Sequence, residues 1–259
     1  MKRSLHFSSI AWRSELGLHR EGNEDSGLIS ANLVAVADGM GGYVGGEIAS
    51  KTAIRTLADI LPLLNNNELD SQSREDIYRS SLLEIDLALK KIAEDRPELD
   101  GMGTTLTSLG LFENQAVLLH VGDSRAYRIR GKKITQLSHD HTVVQELIDQ
   151  GRITPEEASE HPQRSFLTQA LMGKSNVEGV LLLFPIEVGD IFLLCSDGLT
   201  VVVDEGKIAS AFGENLQDSV DALVDLTYKK GAPDNVTVIA LRIGETKQEI
   251  PTTYIGAAL

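Results

Sequence analysis

The chain has 259 residues, 42% of them hydrophobic and 24% charged, with a formal net charge of −14. That apolar content suffices for one large domain or two small ones, and the acidic excess argues against nucleic acid or an anionic membrane as the main partner. The N-terminal MKRSLHFSSIAW lacks an apolar h-region and no run of 18 apolar residues occurs anywhere, so the sequence reads as a soluble, cytoplasmic protein. The single cysteine, Cys195, sits inside an apolar run, which excludes an internal disulfide and suits a reducing compartment.

In chain order, residues 6–18 and 27–33 read as strands around the polar turn HREGNEDS, and 33–37 as a buried strand ending at Asp38-Gly39. Ile54, Leu57, Leu61 and Leu64, then Leu82, Ile85, Leu89 and Ile92, fall at helical spacing and predict an antiparallel helix pair joined by the polar linker 65–73. A meander of strands follows at 104–112, 116–121, 126–130 and 133–137, with Gly131-Lys132 as a hairpin turn. From Asp140 to Gly173 the pattern becomes polar and helical, with Thr154-Pro155-Glu156-Glu157 as a helix start, and reads as an inserted flap. Strands are expected again at 177–184 and 191–195, helices at about 204–212 and 215–229, and a last strand at 236–243. Residues 245–259 read as a loose tail. Antiparallel runs segregated from paired helices predict one α+β domain, without an internal repeat or interdomain linker.

The stretch 33–50, LVAVADGMGGYVGGEIAS, organises the rest. An apolar strand ends in a carboxylate, and glycine-rich backbone then permits close approach of a cation or phosphate, although a tight strand-to-helix turn would read the same way. The construction recurs. Apolar runs end at Asp123 and at Ser196-Asp197-Gly198, and Asp234-Asn235 opens the strand 236–241. These are either four unrelated turn aspartates or one cleft, and gathering four like charges calls for cations. All-oxygen ligands suit Mg²⁺ or Mn²⁺ rather than zinc, and two such ions can share a water and aim it at phosphorus.

Seven segments in order, GLHREGNEDS (17–26), VADGMGG (36–42), GMGTTL (101–106), VGDSRAY (121–127), HPQRS (161–165), CSDGLT (195–200) and GAPDNVTV (231–238), resemble the type 2C metal-dependent protein serine/threonine phosphatases in their bacterial form. The resemblance runs from about Ser14 to Ile243. It implies a four-layer αββα sandwich of two antiparallel sheets flanked by helix pairs, a catalytic domain over 1–244 with a flap at about 140–175, and a tail at 245–259. It further implies that Asp38 bridges two Mn²⁺ or Mg²⁺ ions, that the Gly39 carbonyl and water near Glu24 and Asp25 complete one shell, and that Asp197 and Asp234 hold the other ion. Asp123 would help bind a weaker third ion, and Arg20 would clamp the substrate phosphate, a role suited to its fork of donors. The implied partners are phosphorylated proteins, a eukaryotic-like Ser/Thr kinase and that kinase's targets; a monomer is expected.

Several residues also carry plainer readings. Arg20 taken alone is one residue of a charged turn, and Asn235 is expected to orient Asp234 rather than touch metal. His139 and His141 flank Asp140 where a flap helix begins and read as capping or structural. Gly173-Lys174-Ser175 lacks the glycine and preceding strand of a P-loop. Tyr43 stands where many relatives carry a histidine suspected as general acid, leaving the proton donor unassigned, and residues 200–203 are more apolar than the family pattern. Rival readings are a catalytically weak phosphoprotein-binding module of the same fold and a small-molecule metal phosphoesterase; loss of a metal aspartate or of Arg20 would favour the first, and none is lost.

Overall fold

A computed structural model describes residues 4–42, 44–64, 66, 69–112, 114–174 and 177–259. Tyr43 and parts of the expected 65–73 linker lie outside the described residues. The strands are β1 (His6–Glu15), β2 (Asp25–Ile29), β3 (Leu33–Met40), β4 (Gly103–Thr104), β5 (Leu106–Phe112), β6 (Gln115–Val121), β7 (Arg125–Arg130), β8 (Lys133–Gln136), β9 (Val180–Pro185), β10 (Ile191–Cys195), β11 (Val236–Gly244) and β12 (Thr253–Gly256). The helices are α1 (Gly45–Ala58), α2 (Leu61–Leu64), α3 (Ser71–Asp95), α4 (Val143–Asp149), α5 (Pro155–Ser159), α6 (Asp197–Thr200), α7 (Glu205–Ala211) and α8 (Leu216–Lys229).

Two antiparallel sheets form, in the orders β1-β11-β10-β7-β8 and β12-β2-β3-β5-β6-β9, with β4 paired to β3. The runs Leu33–Ala37 of β3 and Ile191–Cys195 of β10 are apolar at every position because each sheet is covered twice, by the other sheet and by helices. Along β3, Leu33, Ala35 and Ala37 pack with α1 and α3 residues such as Ile54 and Ile85, while Val34 and Val36 point to the inter-sheet core with Leu109, Phe192 and Ile239. Along β10, Leu193 and Cys195 join Val220 and Leu223 of α8, whereas Phe192 and Leu194 face the other sheet. A period of two thus distributes one apolar run between two cores. The result is the αββα sandwich.

Three features differ from the sequence expectations. Residues 253–256 are not loose: β12 pairs with β2, Ile255 and Ala258 are buried, the Arg55 guanidinium lies 3.7 Å from the centroid of the Tyr254 ring, and it donates to the Ala258 carbonyl. Tyr254 and Ile255 supply the apolar contact there, a signal too short for periodicity to reveal. The flap helix begins at Val143 rather than Asp140, because the Thr142 hydroxyl is the cap that accepts from the Gln145 N–H. Residues 197–200 form the short helix α6, and the apolar 200–203 stretch that follows divides, with Val203 buried against the α8 core and Val201 exposed. Thr154 and Glu157 make the reciprocal bonds of a capping box at α5.

Candidate metal centre

The acidic residues sit on strand ends at one edge of the sandwich. In the β2–β3 register Asp25 lies directly opposite Asp38, a like-charge pairing that an ordinary sheet avoids. The Asp38 backbone is held on every side: its N–H donates to Thr105 Oγ1, and its carbonyl accepts from the Thr105 N–H and the Thr104 hydroxyl, each at 2.9 Å. Gly39 is required because a Cβ there would stand 2.0 Å from the Gly46 carbonyl oxygen, where the start of α1 crosses the strand end. From the other sheet, Ser196 at the end of β10 donates to Asp25 Oδ2 at 2.6 Å and accepts from the Thr237 N–H at 2.9 Å. One hydroxyl therefore stitches the two sheets together beneath the carboxylates.

The electrostatics show how tightly the acids are gathered. Burial, then the charges of Asp25, Asp197, Asp123 and Asp234, push the Asp38 carboxyl well above the usual range. Burial also raises Asp25 to about 7, Asp123 to about 7 and Asp197 to about 6, with neighbouring aspartates adding to each. Asp38, Asp123, Asp197, Asp234 and Asp25 thus share one electrostatic neighbourhood despite wide separation in sequence. Hydrogen bonds to the charged form pull the other way only partly.

Arg20 and its loop form the rim. Arg20 donates to Asp234 Oδ2 at 2.6 Å and lies 3.6 Å from Glu24 Oε2, with its side chain 43% exposed. Asn235 pins this loop: its amide donates to the carbonyls of Leu16 (2.8 Å) and Gly22 (3.0 Å), and its Oδ1 accepts from the Glu24 N–H (2.8 Å). Only its backbone N–H meets Asp234, at Oδ1. Asn235 therefore orders the Arg20 loop more than it orients Asp234. The exposed His139 ring is bonded to Asp149 at 2.7 Å, and the His141 ring accepts from the Gly122 N–H. Sequence reasoning missed Thr104, Thr105 and Ser196, the buried hydroxyls that fix the acid-bearing strand ends; their only signal is that hydroxyl residues cluster beside strand-end acids.

The arrangement fits divalent cations. The donors are carboxylate and carbonyl oxygens, Asp25 Oδ1 is buried without a hydrogen-bond partner, and several carboxyls raised together stand to gain from positive charge. Among the described residues no three His, Cys, Asp or Glu side chains close into a ligand cluster.

A protein-family model described as Protein phosphatase 2C matches residues 23–227. The serine/threonine protein phosphatase PstP of Mycobacterium tuberculosis is 43% identical over 230 residues, covering 88% of this chain and 44% of that protein, so the chain spans less than half the length of this relative. The serine/threonine phosphatase stp of Listeria welshimeri is 35% identical over 239 residues, covering 88% of this chain and 93% of that protein. Among solved structures, the catalytic domain of a serine threonine protein phosphatase PstP in complex with two manganese ions superposes with a TM-score of 0.83 at 39% identity, covering 93% of this chain and 99% of that one. Converging strand-end aspartates, the αββα sandwich and these matches agree: the chain belongs to the protein phosphatase 2C family.

Proposed function

We propose that this chain is a protein serine/threonine phosphatase that hydrolyses phosphoserine and phosphothreonine with the help of two Mn²⁺ or Mg²⁺ ions, a third binding more weakly. The observation that carries it is the gathering of Asp38, Asp197 and Asp234, from strand ends of both sheets, in one electrostatic neighbourhood with the Arg20 guanidinium at the rim. Asp38 would serve both ions, the Gly39 carbonyl one of them and Asp197 with Asp234 the other, while Glu24 and Asp25 would act through water and Asp123 would hold the weaker third. Bound there, such ions lower the pKa of a shared water and neutralise charge on the phosphate.

Arg20 is placed to bind phosphate. Its pairing with Asp234 is partly exposed and worth little by itself, about 0–1 kcal/mol, so the guanidinium can turn its fork to a phosphate dianion when Asp234 is otherwise engaged. Water oxygen joins phosphorus as the bond to the seryl or threonyl oxygen breaks, releasing inorganic phosphate and the free hydroxyl. Neither Cys195 nor Ser196 competes as a nucleophile here: Cys195 is fully buried with its thiol pushed up to about 12, and the Ser196 hydroxyl is committed to Asp25 and Thr237. Direct displacement without a phospho-enzyme follows.

Phosphorylated proteins, including a eukaryotic-like Ser/Thr kinase and its targets, are the proposed partners, met by a monomer in the cytoplasm. Among the described residues no helix is long and apolar enough to cross a membrane. The test is release of phosphate from a phosphothreonine peptide by the purified chain with Mn²⁺, lost on chelation and restored by readdition. Peptide binding without release would favour the regulatory module, and turnover confined to small phosphate esters the phosphoesterase reading.

A further inference from the structure

The turn that carries Asp123 is gripped, residue by residue, by the segment that launches the flap. The Leu137 N–H donates to the Ala126 carbonyl at 2.8 Å, and the Ser138 hydroxyl accepts from the Ala126 N–H at 3.0 Å. The His139 carbonyl lies 3.0 Å from His120 Nε2, and Asp140 takes Arg125 in a bidentate pair, with Nη2 to Oδ2 at 2.6 Å. His141 closes the series with two bonds to one glycine. Its N–H donates to the Gly122 carbonyl at 2.9 Å, and its ring Nδ1 accepts the Gly122 N–H at 3.0 Å. Because Gly122 can only donate there, the proton of the neutral ring belongs on Nε2. The buried His120 ring stacks on His141 with centroids 5.0 Å apart and supports its orientation from behind.

The same turn leans on the Asp38 strand end. Gly122 has φ +103°, and a Cβ there would stand 2.5 Å from the Thr105 side chain. Thr105, which accepts from the Asp38 N–H, exchanges a 2.7 Å hydrogen bond with the Ser124 hydroxyl next to Asp123. Beyond the grip the flap begins and ends on the same ground: the His141 carbonyl accepts from the Thr168 N–H at 2.8 Å, and Leu171 exchanges two backbone bonds with Thr104, whose hydroxyl donates to the Asp38 carbonyl. One foot of the flap therefore stands on the Asp123 turn and the other on the strand β4 that bonds the Asp38 backbone.

We propose that residues 137–141 are a clamp that positions Asp123 for the weaker third ion, with His141 as the positioning residue that transmits the placement of the flap to the Gly122-Asp123 turn. The inference rests on the reading of Asp123 as a ligand of that ion. Removing the ring acceptor leaves a buried Gly122 N–H without a partner, and the cheapest response is for the turn to shift, carrying Asp123 with it. The Arg125–Asp140 pair keeps the segment attached, so the fold survives while the aim is lost.

The experiment compares His141→Leu, which removes the acceptor, with His141→Asn, whose Oδ1 can occupy the place of Nδ1, and His141→Gln, whose acceptor reaches the wrong end of the ring's footprint. Mn²⁺ titration by calorimetry should show the weak site loosened about tenfold in His141→Leu and His141→Gln and the tight sites unchanged, with His141→Asn close to wild type. Hydrogen exchange at the Gly122 amide should quicken in the same two variants, and kcat for p-nitrophenyl phosphate should fall while KM holds. Should His141→Leu fail to fold, the Asn and Gln pair decides the same question. Weak-site affinity in His141→Leu or His141→Gln within about twofold of wild type, while Asp123→Ala abolishes that site, overturns the clamp and leaves the ligand role standing. Retention of the weak site in Asp123→Ala overturns the ligand role and this inference together.

Discussion

Asp38 and Asp234 lie in one electrostatic neighbourhood and are held in opposite ways. Asp38 ends a strand packed on both faces, its backbone is fixed by Thr104 and Thr105, and burial with four neighbouring aspartates drives its carboxyl well above the ordinary range. Asp234 opens β11 from a loop, is partly exposed, and already has the Arg20 guanidinium at 2.6 Å. The first is a rigid group held at electrostatic cost; the second is a group whose countercharge can be exchanged. Under the proposed function the cleft would use both kinds: fixed carboxylates to set where ions sit, and an exchangeable partner through which an incoming phosphate enters the charge balance.

The contrast breaks most sharply at Asp38. Asp38→Ala should reduce turnover of p-nitrophenyl phosphate by orders of magnitude while leaving the far-UV circular dichroism unchanged, because the backbone bonds that hold this strand end do not involve its side chain. Substantial activity in that variant, or in chelated wild type, would show that the buried carboxylates are not the catalytic centre. Arg20→Ala should act differently, raising KM for phosphopeptide on the order of tenfold, the value of one charge-assisted hydrogen bond, with a smaller change in kcat. If kcat falls and KM holds, Arg20 tightens on the transition state rather than on bound phosphate.

The pH dependence of stability sharpens the same comparison. Asp25, Asp123 and Asp197 hold protons up to about 7, 7 and 6 in the folded chain, whereas unfolded aspartates release theirs near 3.9. Between those values the folded state binds more protons, so their contribution is fully present below about pH 4 and is lost as pH rises towards 7. In chelator, the melting temperature should therefore fall from pH 5 to pH 7.5, and Asp197→Asn should flatten that slope. Mn²⁺ should raise the melting temperature more at pH 7.5 than at pH 5, since ions compete with these protons. A chelated melting temperature that does not fall over this range would mean the carboxyls are not buried together. The smallest effect is expected at Tyr43: a phenol near 10 is a reluctant donor at neutral pH, so Tyr43→Phe should leave aryl phosphate and phosphopeptide rates within about threefold of wild type, below the general-acid range. A selective loss of the peptide rate would identify Tyr43 as the acid.

What was legible in the linear chain was everything with a local period or a local break. Apolar runs placed β3, β10 and β11, helical spacing placed α1 and α3, and abrupt stops at Asp38, Asp123 and Asp197 marked the acids. The seven spaced motifs supplied the sandwich and the family. Only the tertiary structure decided who fixes those acids and how. Thr105 and Ser196 act on aspartates tens or hundreds of residues away, the Asn235 side chain bonds the Arg20 loop while its backbone N–H meets Asp234, and β12 pairs with β2 from far along the chain. Such contacts leave no period in the sequence. Hydrogen bonds between residues distant in the chain depend on two surfaces arriving together, and the burial that raises the Asp25, Asp38, Asp123 and Asp197 carboxyls exists only once the layers have closed.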